Sequence, residues 1–360
     1  MIGTLDFCPD RVSPPGDTII DLMDEHGLTD EELSKKIGLS IRKGQQLLNG
    51  HLHINEAMAS RLQDIFDVSV DFWLEREGAY RKHIEFLDET NKKWLESIPV
   101  RDMIEFGWIS KTSSRESKLK NCLDFFGINS VNDFSRKINT ETPLVAFRKS
   151  INLKTLPMAD LVWITKAQKI SRNNKCEMWD KEKLKSLIPE LRKTTNEPDI
   201  KKFIPHLKEV LATAGVSLVV LPTPSGCRAS GATCFFEPER ATLIVSFRYL
   251  TDDHFWFTFF HEIGHLVLHD AVSVRLEGDV KLTAVEEKEA DQFATNTLIP
   301  EIFQKEIKNF GVKNWKDMVR VSRKIGVSKG IVLGYLQHIG NVPYTHLNRF
   351  KVRYKKEDIL

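Results

Sequence analysis

The stretch Phe255–Leu268 constrains this chain more than any other. It is the most apolar long run in the sequence, yet His261, Glu262 and His265 interrupt it. Two imidazoles and a carboxylate exclude it as a membrane span, so no membrane contact is expected. Its apolar spacing reads instead as a helix starting near Asp252. Histidines four residues apart lie one above the other on a helix, so both rings can reach one ion. Glu262 follows the first by one residue, about 100° around the axis. That puts a carboxylate beside the ion, able to take a proton from a water there. Apolar neighbours exclude solvent and strengthen every charge interaction at the site.

A catalytic zinc site takes a third protein ligand and keeps one position for water. The downstream run Val285-Glu-Glu-Lys-Glu-Ala-Asp291 offers Glu286, Glu287 and Glu289. On a helix over 284–298, Ala290, Phe293, Ala294, Thr297 and Leu298 mark the packed face. Glu286 and Glu287 project toward that face and Glu289 falls to its edge. Only Glu287 has an acidic residue four positions on, Asp291, which could accept the remaining N–H of a ligating histidine. The expected ligands are therefore His261, His265 and Glu287, with Glu262 as base and Asp291 behind the ligands. One zinc per chain is expected, with manganese or iron(II) as alternatives in the same donor set. His269 is one turn beyond His265 and reads as a core or rim histidine. His254, Arg248, His338 and Tyr344 are candidates to steady an oxyanion, and none stands out.

The fold class expected is mainly α, with an α+β C-terminal domain. Length alone favours more than one core in 360 residues. Residues 10–80 read as short helices with tight punctuation. Thr29 and Glu32 form a capping box opening a helix over 30–37, Ser40 caps the next to Leu48, and Asn55 and Ser69 open two more. Residues 81–200 read as a helical connector, and 201–360 as a small sheet packed with helices. Strands are expected at 216–221, 232–236 and 242–247. Further helices are expected over 203–213, 300–309, 314–325 and 327–338. No internal repeat or low-complexity tract stands out.

Five cysteines, an odd number without a C-x-x-C pair, point to reduced thiols, with Cys227 and Cys234 as buried fillers. The N-terminus shows no basic segment followed by an apolar one, so a cytoplasmic location is expected. The net charge is +2, but residues 10–80 hold fourteen Asp/Glu against seven Lys/Arg, a net of −7. Lys35, Lys36, Arg42 and Lys43 supply most of the positive charge there, a small basic patch on an acidic body. Weak nonspecific affinity for DNA follows.

On the string F-x-x-F-H-E-I-G-H-L-V-L-H, on E-x-E-A-D-x-F-A followed by L-I-P, and on the strand opening after Gly231, the segment 203–300 resembles the ImmA/IrrE metallopeptidases, a gluzincin family. That resemblance implies His261, His265 and Glu287 as zinc ligands, Glu262 as general base, Asp291 as the residue behind them, and helix-turn-helix repressors as substrates. The N-terminal region resembles HigA-type helix-turn-helix antitoxins, on Leu28-Thr29, Ile37-Gly38-Leu39-Ser40, Leu47-Leu48-Asn49-Gly50 and Asp71-Phe-Trp-Leu74. In such a pair the second helix meets base edges with its first turn. This nominates Ser40, Arg42, Lys43, Gln45 and Gln46 as DNA contacts. Gly44 departs from the bulky apolar residue usual there, and mid-helix glycine costs about 1 kcal/mol relative to alanine. Together the two resemblances imply a transcriptional regulator: a DNA-binding head, acting as a homodimer on an operator, joined to a zinc endopeptidase that cleaves a repressor or toxin partner, or itself. The competing expectation is a DNA-binding antitoxin whose metal site is structural or sensory.

Overall fold

The computed structural model describes residues 13–140, 158–269, 274–276, 284–355 and 357; Cys8 lies outside them. Two units result, one of Met1–Glu96 with Ser130–Asn132, the other of Ser97–Asn129 with Asp133–Leu360.

The first unit contains α1 (Pro15–His26), α2 (Asp30–Lys36), α3 (Ile41–Leu48), α4 (Glu56–Phe66) and α5 (Val70–Ser97). Their ends follow local chemistry. Gly27, in the left-handed region, closes α1. Thr29 and Glu32 make the reciprocal capping box on α2. Ser40 and Asn55 cap α3 and α4. Ile19, Leu33, Ile37, Leu47, Leu62 and Trp73 form the buried core. Gly44 now has a reason: a Cβ there would collide with Ser34 Oγ on α2, so the glycine permits a close helix crossing. The expected boundary at 80 falls inside α5, which runs on to Ser97. No proline interrupts it before Pro99, and proline is what stops a helix most firmly.

The second unit adds α6 (Val100–Glu105), α7 (Arg115–Phe126), most of α8 (Val131–Thr140), α9 (Met158–Asn173), α10 (Lys181–Lys193) and α11 (Ile200–Ala212). The sheet comprises β1 (Val216–Val220), β2 (Gly231–Glu237) and β3 (Arg240–Val245), then α12 (Asp252–Leu268) and a short β4 (Val274–Leu276). Helices α13 (Ala284–Leu298), α14 (Glu301–Ile307), α15 (Trp315–Ile325) and α16 (Lys329–His338) complete it. The strand order is β1-β3-β2-β4, with β1 parallel to β3 and the other pairs antiparallel. The three expected strands are present, and β4, three residues long, is an addition too short for periodicity to show.

Both sheet faces are covered, which is why its strands read as continuous apolar runs. Leu218, Leu243 and Val245 join the core that includes Phe255, Trp256, Phe259 and Phe260 of α12. On the other face α9 is fastened by a 2.7 Å hydrogen bond between Ser171 and Thr242, and just beyond α9 Asn174 donates to Ser217 at 2.9 Å. Part of the stretch read as connector therefore packs on the sheet.

The string Lys-Ile-Gly-Leu-Ser at 36–40 recurs as Lys-Ile-Gly-Val-Ser at 324–328. Both glycines take positive φ, 70° and 81°, and both serines cap the next helix. The two helices then differ. In α3, Arg42, Lys43, Gln45 and Gln46 are exposed. In α16, Ile331, Val332, Leu333 and Leu336 are buried in the core around α12.

Candidate metal centre

Helix α12 is buried from Phe259 to Val267. Its N-terminus is held by the C-terminal segment: Asp252 accepts from Ser328 Oγ at 2.6 Å and from the Val352 N–H at 2.9 Å. Asp253 pairs with Lys351 at 2.6 Å, both side chains buried. Helix α13 crosses α12 closely because Gly264 has no side chain. A Cβ there would lie 3.2 Å from Ala290 Cα and 3.3 Å from Ala290 O. This approach brings the acidic turn of α13 to the histidines.

The result is the cluster expected from sequence: His261, His265 and Glu287 converge, the single group of metal-ligand character among the described residues. His261 Nε2 lies 3.0 Å from His265 Nε2. The Glu287 carboxylate straddles them, Oε2 3.5 Å from His261 Nε2 and Oε1 3.4 Å from His265 Nε2. A tetrahedral zinc with bonds near 2.0–2.1 Å separates its ligand atoms by about 3.3 Å, and these separations, measured to two different carboxylate oxygens, are of that size.

Proton bookkeeping points the same way. His261 Nδ1 is 2.9 Å from Asp291 Oδ1, and His265 Nδ1 is 3.1 Å from His269 Nδ1. Asp291 accepts only, so His261 carries its hydrogen on Nδ1 and presents a lone pair from Nε2. His261 Nε2 faces His265 Nε2 at 3.0 Å, a contact that a proton or a metal cation between the two rings holds together. Glu287 Oε1 is buried there without a hydrogen bond. Burial opposes charge on His261, but Asp291 and Glu287 outweigh it and hold the imidazole up to about 10, so a metal that takes the Nε2 lone pair displaces a proton from it. Burial lowers His265. Burial would raise Glu287, but the His261 and His265 imidazoles facing it prevail and bring it to about 2. The donor set is built for a cation, and imidazole with carboxylate suits zinc.

Glu262, next to His261 in the chain, is fully buried. Room for it comes from Gly231 at the start of β2, where a Cβ would lie 2.6 Å from Glu262 Oε1. Behind it, the Cys234 thiol is pushed well up by burial and by the Glu262 charge, so Cys234 is an inert filler. Cys227 is likewise buried and free.

Asp291 is hydrogen-bonded to His261. Glu289, an alternative ligand by sequence, pairs with His269 at 3.0 Å instead. His269, read as core or rim, contacts His265; its spacing of four from His265 was the visible signal. Of the oxyanion candidates, His254, His338 and Tyr344 border a cavity of about 240 Å³ that also touches His261 and Asp291 but not Glu262, His265 or Glu287. Arg248 donates to the Arg228 carbonyl at 2.6 Å. The geometry assigns none of the four to an oxyanion.

Of the nominated DNA contacts, Arg42, Lys43, Gln45 and Gln46 lie exposed on α3. Ser40 is also exposed, with its hydroxyl accepting the Lys43 N–H as a cap at 3.4 Å. No helix among the described residues is long and apolar enough to cross a membrane.

Comparison with known proteins bears on the second unit. No curated protein matches the chain. One solved structure, described as "Crystal structure of a hypothetical protein from E. Coli", matches at 20% identity over 35% of this chain and 99% of that one, with a TM-score of 0.18, too low to inform the fold. The profile of the IrrE N-terminal-like domain, Peptidase_M78, matches residues 216–335, the third of the chain that holds His261, Glu262, His265 and Glu287. By that match and by its donor set, this segment is a domain of metallopeptidase type, of the kind associated with regulators.

Proposed function

We propose that the chain is a bacterial transcriptional regulator in which a DNA-binding helical head is joined to a zinc-dependent endopeptidase. The observation that carries the reading is the convergence of His261 Nε2, His265 Nε2 and the Glu287 carboxylate within 3.0–3.5 Å, with Glu262 buried next to them. A zinc ion held there supplies Lewis acidity toward a peptide carbonyl and toward the attacking water. Glu262 takes the proton from that water and hands it to the leaving amine. Its dry surroundings keep bulk water from competing for that proton. Asp291 fixes the tautomer and orientation of His261.

The substrate in this reading is a helix-turn-helix repressor, a toxin partner or a segment of the chain itself, and the site works in the cytoplasm. The exposed row on α3 meets an operator as part of a homodimer. The experiment is Glu262→Gln in the zinc-loaded full chain, incubated with the products of neighbouring genes. Zinc content is unchanged and discrete fragments disappear; fragments that persist refute the assignment.

A second reading has one observation in its favour. Glu262 is 0% exposed, as expected of a metal site that is structural or sensory in an antitoxin. In that case the parent protein yields no fragments with any neighbour, and the E262Q variant regulates normally in cells.

A further inference from the structure

We propose that His269 and Glu289 form a positioning relay that orients His265 for the metal, the counterpart of what Asp291 does for His261. His269 follows the last residue of α12 in an extended conformation, φ −108° and ψ 161°, which folds its ring back onto the final turn. The ring is no rim histidine, since its side chain is only 7% exposed. Neither is it apolar filler, because both nitrogens have partners: Nδ1 lies 3.1 Å from His265 Nδ1, and Nε2 lies 3.0 Å from Glu289 Oε2.

One assignment of hydrogens satisfies both contacts of His269. A carboxylate only accepts, so His269 donates from Nε2 to Glu289. A neutral imidazole has one N–H, so His269 Nδ1 offers a lone pair. His265 then donates from Nδ1 to His269, which leaves His265 Nε2 as a lone pair facing His261 Nε2 and Glu287. The chain of donors therefore runs from the metal position through two imidazoles to a carboxylate. Outer partners of this kind fix the tautomer and ring plane of a ligating histidine and raise its basicity. Asp291 acts directly, Glu289 through one intervening ring. Glu289 is 54% exposed and one ring removed from His265, so solvent screens its charge and its share is smaller than that of His269.

This inference rests on His261, His265 and Glu287 being metal ligands, and the experiment separates the two claims. Zinc affinity of the full chain is measured by chelator competition, with thermal melting of the metal-free protein alongside. His269→Ala weakens zinc binding about 10- to 100-fold. His269→Gln, whose side-chain oxygen can accept from His265 Nδ1 while its amide donates toward Glu289, recovers most of that loss. Glu289→Gln loses less than His269→Ala, and the metal-free melting temperature of the His269→Gln variant stays near the parent's. The relay is overturned if H269A binds zinc within about twofold of the parent, or if H269Q is no better than H269A. A parent chain that takes up no zinc would overturn the metal centre itself.

Discussion

A methyl group at Gly264 would enter the crossing of α12 and α13 at its tightest point. In Gly264→Ala the new Cβ meets Phe293 Cδ1 at 3.1 Å, Ala290 Cα at 3.2 Å and Ala290 O at 3.3 Å. Carbon atoms in packed interiors settle at about 3.5–4.0 Å. The Phe293 ring can turn aside, but Ala290 presents backbone, so α13 must retreat by about 0.3–0.5 Å on that spacing. Glu287, one turn before Ala290 on the same helix, moves with it. Metal–ligand distances tolerate only about ±0.2 Å, so the ligand set no longer closes, and zinc affinity should fall by about tenfold or more, some 1.4 kcal/mol. Stability of the metal-free protein should change far less. Overpacking costs about 1–3 kcal/mol, offset by about 1 kcal/mol of helix propensity for alanine over glycine. Gly78→Ala serves as the control, because its Cβ meets nothing within 4 Å, and it should show the propensity gain with zinc affinity untouched. Chelator competition and metal-free thermal melts on the parent, G264A and G78A decide the matter. Parent-like zinc binding by G264A would refute the idea that glycine at this crossing sets the reach of Glu287.

Three further outcomes follow from the structure. Gly44→Ala should destabilise the N-terminal unit by about 1–3 kcal/mol through overpacking, because the new Cβ collides with Ser34 Oγ. The double variant S34A/G44A should recover part of that in a denaturant titration, and no recovery would deny the crossing. Burial raises the Asp252 carboxyl to about 6, above its unfolded value of about 3.9. The folded state then holds the extra proton, so stability from this group is full below about pH 4 and declines as pH rises to about 6, by at most about 3 kcal/mol. Asp252→Asn should flatten that part of the pH profile relative to the parent; an unchanged slope would contradict it. Asp291→Ala should weaken zinc binding about 10- to 100-fold while the spectrum of the metal-free fold stays the same, and parent affinity would show that His261 needs no partner.

The candidate site was legible to an unusual depth because its main signals are local. His261, Glu262 and His265 share one helix, so spacing alone orients them. Glu287 and Asp291 share another, and the i, i+4 rule couples their directions. Hidden from that reading was everything set by the distance between the two helices, which depends on Gly264 lying opposite Ala290. His269 shows the limit clearly. It is four residues from His265, but past the end of α12 helical geometry no longer applies, and only the folded chain brings its ring to Nδ1 of the ligand.

The sequence by itself determined where helices begin and end, through Thr29, Ser40, Asn55 and the positive-φ glycines, because caps and turns are settled within four or five residues. It determined, too, that two imidazoles and a carboxylate would share a buried helix. Tertiary structure alone decided what identical local signals are for. The pairs ending in Gly38-Leu-Ser40 and Gly326-Val-Ser328 have the same turn and the same cap, yet α3 keeps its polar row in solvent and α16 buries its apolar face in the core around α12. The physical reason is that a cap is satisfied by its own backbone, whereas burial is a property of whichever surface the rest of the chain delivers to it.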